Sequence, residues 1–238
     1  MMIEQRLAAI KKRIDIAAGK SGRSPEDIRT VCVIKEAAIS DIVRVIRCGF
    51  FEIGENRVQE AERKKELLRK ELAPEVFLRL RWHMLGHLQT NKVNKALQLF
   101  KLVQSVDNLK LANVLSRQLD KSGSDIDILL EVNISREASK FGVKPEQALD
   151  FTREIIKLPH LNLRGLMGIG AYTVQAEQNR RAFKNLSDIF KKANAFLSQM
   201  GLSTMPILSM GMSGDFEVAI EEGANMVRIG RAIFEGGG

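Results

Sequence analysis

Cysteine is scarce in this 238-residue chain: 2 residues, Cys32 within an apolar run and Cys48 before a glycine, with no CxxC pair and no metal-ligand spacing. That pattern excludes a disulfide framework and makes a reduced, cytoplasmic setting the simple expectation. Aromatics are scarce too, 5% of the chain with 1 Trp and 1 Tyr, so a platform for stacking exposed nucleic-acid bases has little to be built from. No apolar stretch approaches the roughly 20 residues of a membrane span. The opening residues Met1 to Arg6 read as the start of an amphipathic helix and not as a charged leader with an apolar core. A soluble protein that is not exported is therefore expected.

Hydrophobic residues make up 45% of the chain and charged residues 28%, enough to bury one large core. The length sits just below the roughly 250 residues typical of a (β/α)₈ barrel, so residues 1–238 are expected to form a single domain. A net charge of +8 favours an anionic partner, whether a phosphate ligand, an acidic substrate or nucleic acid. Its sign does not choose among them, and the missing aromatics argue against the last.

Ile3, Leu7, Ile10, Ile14 and Ala17 recur at helical spacing before the break at Ser21 to Pro25, so the chain opens with a packed helix. Short β-rich runs then appear at Thr30 to Ile34, Phe51 to Ile53, Trp82 to Leu85, Leu102 to Val106, Ile126 to Asn133, Leu163 to Ile169, Ile207 to Met210 and Met226 to Ile229. Amphipathic stretches lie between them: Ile39 to Cys48, Arg57 to Leu72, Leu109 to Leu119, Pro145 to Lys157, Glu177 to Met200 and Phe216 to Glu222. Strand followed by helix, repeated, predicts parallel βαβ units. A doubly wound open sheet satisfies the same alternation, but no GxGxxG follows the first run, and a count near eight suits closure. The fold expected is an α/β, single-domain TIM-like (β/α)₈ barrel with an extra N-terminal helix. The charge-rich segment from Glu62 to Glu71 reads as a solvated helix face, and Gly236 to Gly238 as a frayed tail.

In a closed parallel barrel the site lies at the C-terminal ends of the strands, so polar residues that end apolar runs are the candidates. Lys35 ends the first run, after Val31-Cys32-Val33-Ile34. An amine held there against apolar walls would lose part of its preference for the charged form and could condense with an aldehyde. From this segment alone the plainer reading is a lysine marking the strand's exit to solvent. Asn56, with Gln59 three residues on, reads either as a helix N-cap or as a ligand contact. His83 and His87 are four apart, but strand alternation puts His83 on the face of Leu85 and leaves His87 in a loop, so no metal site is expected. The stretch Ser209-Met210-Gly211-Met212-Ser213-Gly214-Asp215 opens a helix, where backbone N–H groups and the helix dipole favour an anion. It can equally be an ordinary helix start with Asp215 and Glu217 complementing the dipole. Arg228 sits inside an apolar strand, where an unpaired charge is costly.

Taken in order, Val33-Ile34-Lys35, Gly54-Glu55-Asn56, Trp82 to Gln89, Asn133-Ile134-Ser135, Ser139-Lys140-Phe141-Gly142, Arg164-Gly165-Leu166-Met167, Leu208 to Ser213 and Val227-Arg228-Ile229-Gly230 resemble the pyridoxal phosphate homeostasis proteins. This single-domain (YggS/PROSC-like) family is related to the N-terminal barrel of alanine racemase. The resemblance implies a barrel that binds pyridoxal 5′-phosphate (PLP), with Lys35 forming the internal aldimine and Asn56 beside the ring. It places Leu85 among the cofactor-binding residues. Ser209, Met210 and Ser213, with Gly230 and Arg231, would hold the phosphate, largely through backbone N–H groups. Arg228 would face the pyridine nitrogen, where a cation disfavours a protonated ring and so weakens carbanion chemistry. One departure stands out: a small hydroxyl residue usually follows Val-Arg-Ile-Gly in the family, and here it is Arg231. Its guanidinium could offer the phosphate a charge-assisted contact in place of the hydroxyl.

The racemase branch takes an opposing tyrosine base from a second domain, and this chain's only tyrosine is Tyr172. A two-base racemase needs groups on both faces of its substrate. The resemblance therefore implies a cofactor carrier in PLP homeostasis and no enzyme, with a minimal PLP-dependent amino-acid racemase as the alternative. It further implies a monomer, with PLP-dependent apoenzymes or amino acids as candidate partners.

Overall fold

Eight parallel strands close on themselves in chain order: β1 (Arg29–Val33), β2 (Glu52–Glu55), β3 (Arg81–Met84), β4 (Leu102–Val106), β5 (Ile126–Val132), β6 (Leu161–Gly168), β7 (Ile207–Ser209) and β8 (Met226–Ile229). The structure is a computed structural model that describes residues 2–173 and 175–235; the expected tail at 236–238 lies outside them. The ring is sealed where β8 meets β1, with Val31 opposite Arg228 and Cys32 opposite Ile229. Helices α1 (Ile3–Lys20), α2 (Ile39–Arg47), α3 (Val58–Glu71), α4 (Pro74–Leu78), α5 (Val93–Leu99), α6 (Leu109–Asp120), α7 (Ala148–Ile155), α8 (Arg180–Gln199), α9 (Phe216–Glu221) and α10 (Arg231–Phe234) surround it. The barrel expected from strand count and alternation is the one found. None of the described helices is long and apolar enough to cross a membrane.

Alternation sorts the strand residues into two apolar populations. Cys32, Ile53, Trp82, Met84, Val103, Ile128, Leu130, Leu166, Leu208, Val227 and Ile229 point outward and join the helices in one continuous shell. Val31, Leu85, Leu102, Leu129, Met167, Ile207 and Met226 form a separate cluster within the ring. Because helices cover the outside and side chains fill the inside, a strand is buried on both faces and reads as a mainly apolar run.

The N-terminal helix closes the shell beside the seam. Ile3, Leu7, Ile10 and Ile14 of α1 are buried, and α1 packs along α2, α9 and α10. Arg6 Nη1 donates to the Ile233 carbonyl at 2.9 Å. Arg23, just past α1, donates to the carbonyls of Ala224 at 3.0 Å and Ile220. These bonds tie the first helix to the elements that carry the last two strands.

Candidate functional site

Lys35 lies two residues beyond β1, on the inward-facing parity of Val31 and Val33. Its side chain is 48% exposed, with Nζ 3.5 Å from the Glu36 carboxylate. The apolar enclosure expected around this amine is therefore not found: its first partner is an acid and its surroundings include solvent. The register pairs Val33 with Gly54, which brings Asn56 beside Lys35 one rung above. Asn56 is exposed and is not an N-cap; α3 begins at Val58 after Arg57, without a side-chain cap. Glu55, from inside the barrel wall, instead holds the two residues that lead into the helix. Its Oε2 accepts from the N–H groups of Asn56 at 2.6 Å and Arg57 at 3.1 Å.

Glu55 is itself held by Lys64, and both side chains are 1% exposed. Lys64 Nζ donates to Glu55 Oε1 at 2.6 Å, to the Lys35 carbonyl at 3.0 Å and to the Ile34 carbonyl. An ammonium has three protons, and here each has an acceptor. One buried ion pair thus fixes the backbone that presents Lys35 and the backbone that presents Asn56. This corrects the expectation that Lys64 belongs to a solvated helix face with the other charged residues of 62–66 and 69–71, because it turns inward along the stripe of Val58, Ala61 and Leu68. On the other side of Asn56 its backbone presses against Gly86, where a Cβ would lie 2.4 Å from the Asn56 carbonyl oxygen. Leu85, next in the chain, belongs to the interior cluster and donates its N–H to the Glu55 carbonyl at 2.8 Å.

On the neighbouring strand, paired with Val31 of β1, Arg228 is 4% exposed and points inward from β8. Its Nη1 donates to Ser209 Oγ at 2.7 Å and its Nη2 to the Gly168 carbonyl at 2.8 Å. Burial pulls the guanidinium down to about 10, against the pull of Glu131 and Asp215, so it stays cationic at neutral pH. Glu131, inward on β5 in the same mouth, is 6% exposed. Burial first, and repulsion from Asp107 second, push its carboxyl up to about 7, against the attraction of Arg228. Asp107 meanwhile holds His87 Nδ1 at 2.8 Å, and Phe141 stacks on that ring with centroids 3.9 Å apart. His83 and His87 do part company as alternation requires, the first buried on β3 and the second exposed in the loop beyond it. Among the described residues no cluster of three or more His, Cys, Asp or Glu could hold a metal ion.

The loops after β7 and β8 form the third wall. Gly211 has φ +90, and a Cβ there would meet the Ala219 Cβ at 2.6 Å, so only glycine lets this turn lie on α9. Asp215 Oδ1 accepts from the Met212 N–H at 2.7 Å and Oδ2 from Asn179 Nδ2 at 2.9 Å, which braces the loop. Ser213 Oγ accepts from the N–H groups of Gly230 at 3.3 Å and Ala232 at 3.2 Å. The two loops are thereby joined by the kind of converging backbone donors that suit an anion. Ser209 and Met210 sit deeper: the Ser209 hydroxyl bonds Gln104 at 2.7 Å, and the Met210 N–H donates to the Met226 carbonyl at 3.1 Å. Arg231 is exposed, its guanidinium 5.9 Å from the Tyr172 ring centroid.

The mouth therefore gathers an accessible amine, a buried cation on the adjacent strand and a glycine-shaped loop pair with backbone donors. Those are the parts that an aldehyde bearing a phosphate and a basic ring nitrogen needs, so the residues present fit PLP. Sequence reasoning misses Lys64 and Glu131 although both carry a signal: the first interrupts an apolar helical stripe, the second an apolar strand, as Arg228 does.

Residues 5–236 match the model of the alanine racemase N-terminal domain family. The chain is 36% identical over 234 residues to the pyridoxal phosphate homeostasis protein of Pasteurella multocida, covering 98% of this chain and 97% of that one. It is 38% identical over 232 residues to the protein of the same name from Pseudomonas aeruginosa, covering 98% and 94%. Among solved structures, PipY of Synechococcus elongatus with PLP bound superposes with a TM-score of 0.80 at 29% identity, covering 98% of this chain and all, 100%, of that one.

Proposed function

The chain belongs to the alanine racemase N-terminal domain family, and from that premise we propose that it is a PLP-binding protein of cofactor homeostasis that holds PLP as a Schiff base on Lys35. The observation that carries this reading is the pairing, on the adjacent strands β1 and β8 of one barrel mouth, of a solvent-reachable Lys35 with a buried, hydrogen-bonded Arg228. PLP supplies an aldehyde that condenses with an amine, releasing water. Lys35 provides the amine, and Lys64 and Glu55 hold its backbone in place. Asn56 and Leu85 line the ring. Ser213, Gly230 and Arg231 hold the phosphate, with Ser209 and Met210 supporting them from below. Arg228 faces the ring nitrogen, and a permanent cation there disfavours ring protonation and the carbanion chemistry it enables. The site is thereby suited to keeping the cofactor more than to turning substrates over. A reduced, cytoplasmic setting, a monomeric state and hand-over to PLP-dependent apoenzymes belong to the same proposal.

The test is an absorbance spectrum of the wild type against Lys35→Ala after adding PLP. A borohydride-reducible visible band in the wild type alone is the expected result; the same band in the variant overturns the assignment.

A minimal racemase is the second reading, and one observation favours it: Glu131, with its carboxyl pushed up to about 7, is a proton-accepting group in the same mouth as Lys35. Incubation with single L-amino acids followed by chiral separation decides between the two. Racemisation that is lost in both Lys35→Ala and Glu131→Gln would establish the enzyme.

A further inference from the structure

Arg228 is the upper end of a continuous line of hydrogen bonds that runs down the barrel axis to the opposite mouth. Arg228 Nη1 donates to Ser209 Oγ at 2.7 Å, Ser209 Oγ donates to Gln104 Oε1 at 2.7 Å, and Gln104 Nε2 lies 2.9 Å from His83 Nδ1. His83 Nε2 lies 2.5 Å from Glu52 Oε2, and Glu52 Oε1 accepts from Arg29 Nη2 at 2.7 Å. Six strands contribute one group each: β8, β7, β4, β3, β2 and β1. Gln104 and Ser209 are 0% exposed and His83 is 1% exposed, whereas Arg29 and Arg81 at the lower end reach solvent.

The direction of every bond follows from its two charged ends. A guanidinium only donates, so Ser209 Oγ accepts and directs its own proton to Gln104 Oε1. The Gln104 amide then presents its NH₂ side, one proton to His83 Nδ1 and the other toward Met226 Sδ at 3.2 Å. Nδ1 is an acceptor, which leaves the imidazole proton on Nε2, donated to the Glu52 carboxylate. A second ring proton would face the amide NH₂, and burial also lowers the His83 basicity, so the ring is neutral. Burial opposes ionisation of Glu52, but the bonds from His83 and Arg29 outweigh it and hold the carboxyl well below the ordinary carboxylate range. Among the described residues, no side chain of this line leaves a buried polar atom without a partner.

We propose that Glu52, His83 and Gln104 are positioning residues that act through Ser209 to fix where Arg228 points, and so set the environment of the cofactor's ring nitrogen from the far end of the barrel. This rests on the cofactor reading above. A polar core serving stability alone would need satisfied bonds but no set polarity. From Arg228 down to Glu52 the line has one polarity, Glu52 accepts from both His83 and Arg29, and the donor at its upper end is the side chain that faces the ligand.

The test pairs two readouts. In cofactor-free wild type, ¹⁵N chemical shifts of His83 are expected to show a bare Nδ1 and a protonated Nε2 at neutral pH; a proton on Nδ1 overturns the proposal. In titrations with PLP, Gln104→Leu, Glu52→Gln and His83→Leu are each expected to weaken binding roughly tenfold, about the loss of one charge-assisted bond, and to shift the visible band. His83→Gln, which keeps one donor and one acceptor, should restore both affinity and band position. Folded variants that bind within twofold of wild type with an unmoved band overturn the proposal. If the leucine variants do not fold, His83→Gln and the wild-type tautomer decide. Wild type that takes up no PLP removes the cofactor reading, while the His83 tautomer still reports independently on the line itself.

Discussion

Outside the strands this barrel is held together by apolar volume; inside, along its axis, it is held together by satisfied polar groups. The outer shell joins every strand to the helices through one continuous apolar cluster. The inner apolar cluster is small, and between its members run Glu52, His83, Gln104, Ser209 and Arg228. The outer shell should tolerate changes that conserve volume, since non-directional burial is what stabilises it. The axis should not, because each group there is correct only in relation to its neighbours. Folding and ligand recognition are thus assigned to different sides of the same strands.

The contrast is tested hardest by deleting volume from the shell. Phe183 on α8 is 0% exposed, and Phe183→Ala is expected to cost about 3–5 kcal/mol, the usual range for a buried aromatic truncated to alanine. Urea unfolding measures it. The protein that remains folded should bind PLP with an unchanged band, and a changed band would mean that the two regions are not separable.

Lys64→Met comes next, since it breaks the buried pair that links the shell to the site. Removing one partner of such a pair is expected to cost about 3–5 kcal/mol. Adding Glu55→Gln should recover part of that, because the uncompensated carboxylate is then gone. Unlike the shell deletion, this change should also speed amide hydrogen exchange at Asn56 and Arg57, whose N–H groups rest on Glu55. Faster exchange there without any loss in PLP affinity would show that the clamp is structural only.

What is legible in the sequence divides along the same line. Leu102–Val106 and Met226–Ile229 can be read to the residue, because strands covered on both faces stay mainly apolar even with Gln104, Ser105 and Arg228 inside them. Helices α4, α5 and α10, of 5, 7 and 4 residues, are not read, since so short a helix shows little of its period. The similarly short α9 is read with a helix-opening Ser/Gly loop before it. In the site, Arg228 is legible as a charge inside a strand, and the resemblance places Lys35 and Asn56. Their surroundings are not legible. Solvent and the adjacent Glu36 replace the enclosure expected around Lys35, and α3 starts after Arg57 rather than Asn56, with Glu55 bonding the N–H groups before it and held in turn by Lys64 of α3. The axial line joins six strands that are far apart in sequence, so only the closed barrel shows it.

Glu131 probes the polar interior with a smaller effect and a definite sign. With its carboxyl pushed up to about 7, folding favours the protonated form. Above the ordinary carboxylate range the unfolded chain has already released a proton that the folded chain keeps, so stability falls as pH rises toward 7. Above that value the folded group is ionised too and the penalty is complete. Each tenfold change in proton affinity between the folded and unfolded chain is worth about 1.4 kcal/mol. Glu131→Gln should therefore stabilise the protein by about 3 kcal/mol at pH 8 and by much less at pH 5. Thermal unfolding at the two pH values measures it; an equal effect at both would mean that the gain comes from packing and not from ionisation.

The smallest effect on stability is expected at the residue with the largest effect on binding. Lys35 is half exposed, its ion pair reaches the still more exposed Glu36 at 3.5 Å, and its backbone is held by Lys64 whatever side chain it bears. Exposed pairs of this kind contribute little, and surface substitutions of this type usually stay within about 0.5 kcal/mol. Lys35→Ala should thus unfold in urea with the wild-type midpoint while losing the borohydride-reducible band. A shift well beyond that range would mean that the lysine packs into the interior in solution, as its position after four apolar residues allows, and the division between a shell that folds and a mouth that binds would have to be redrawn at β1.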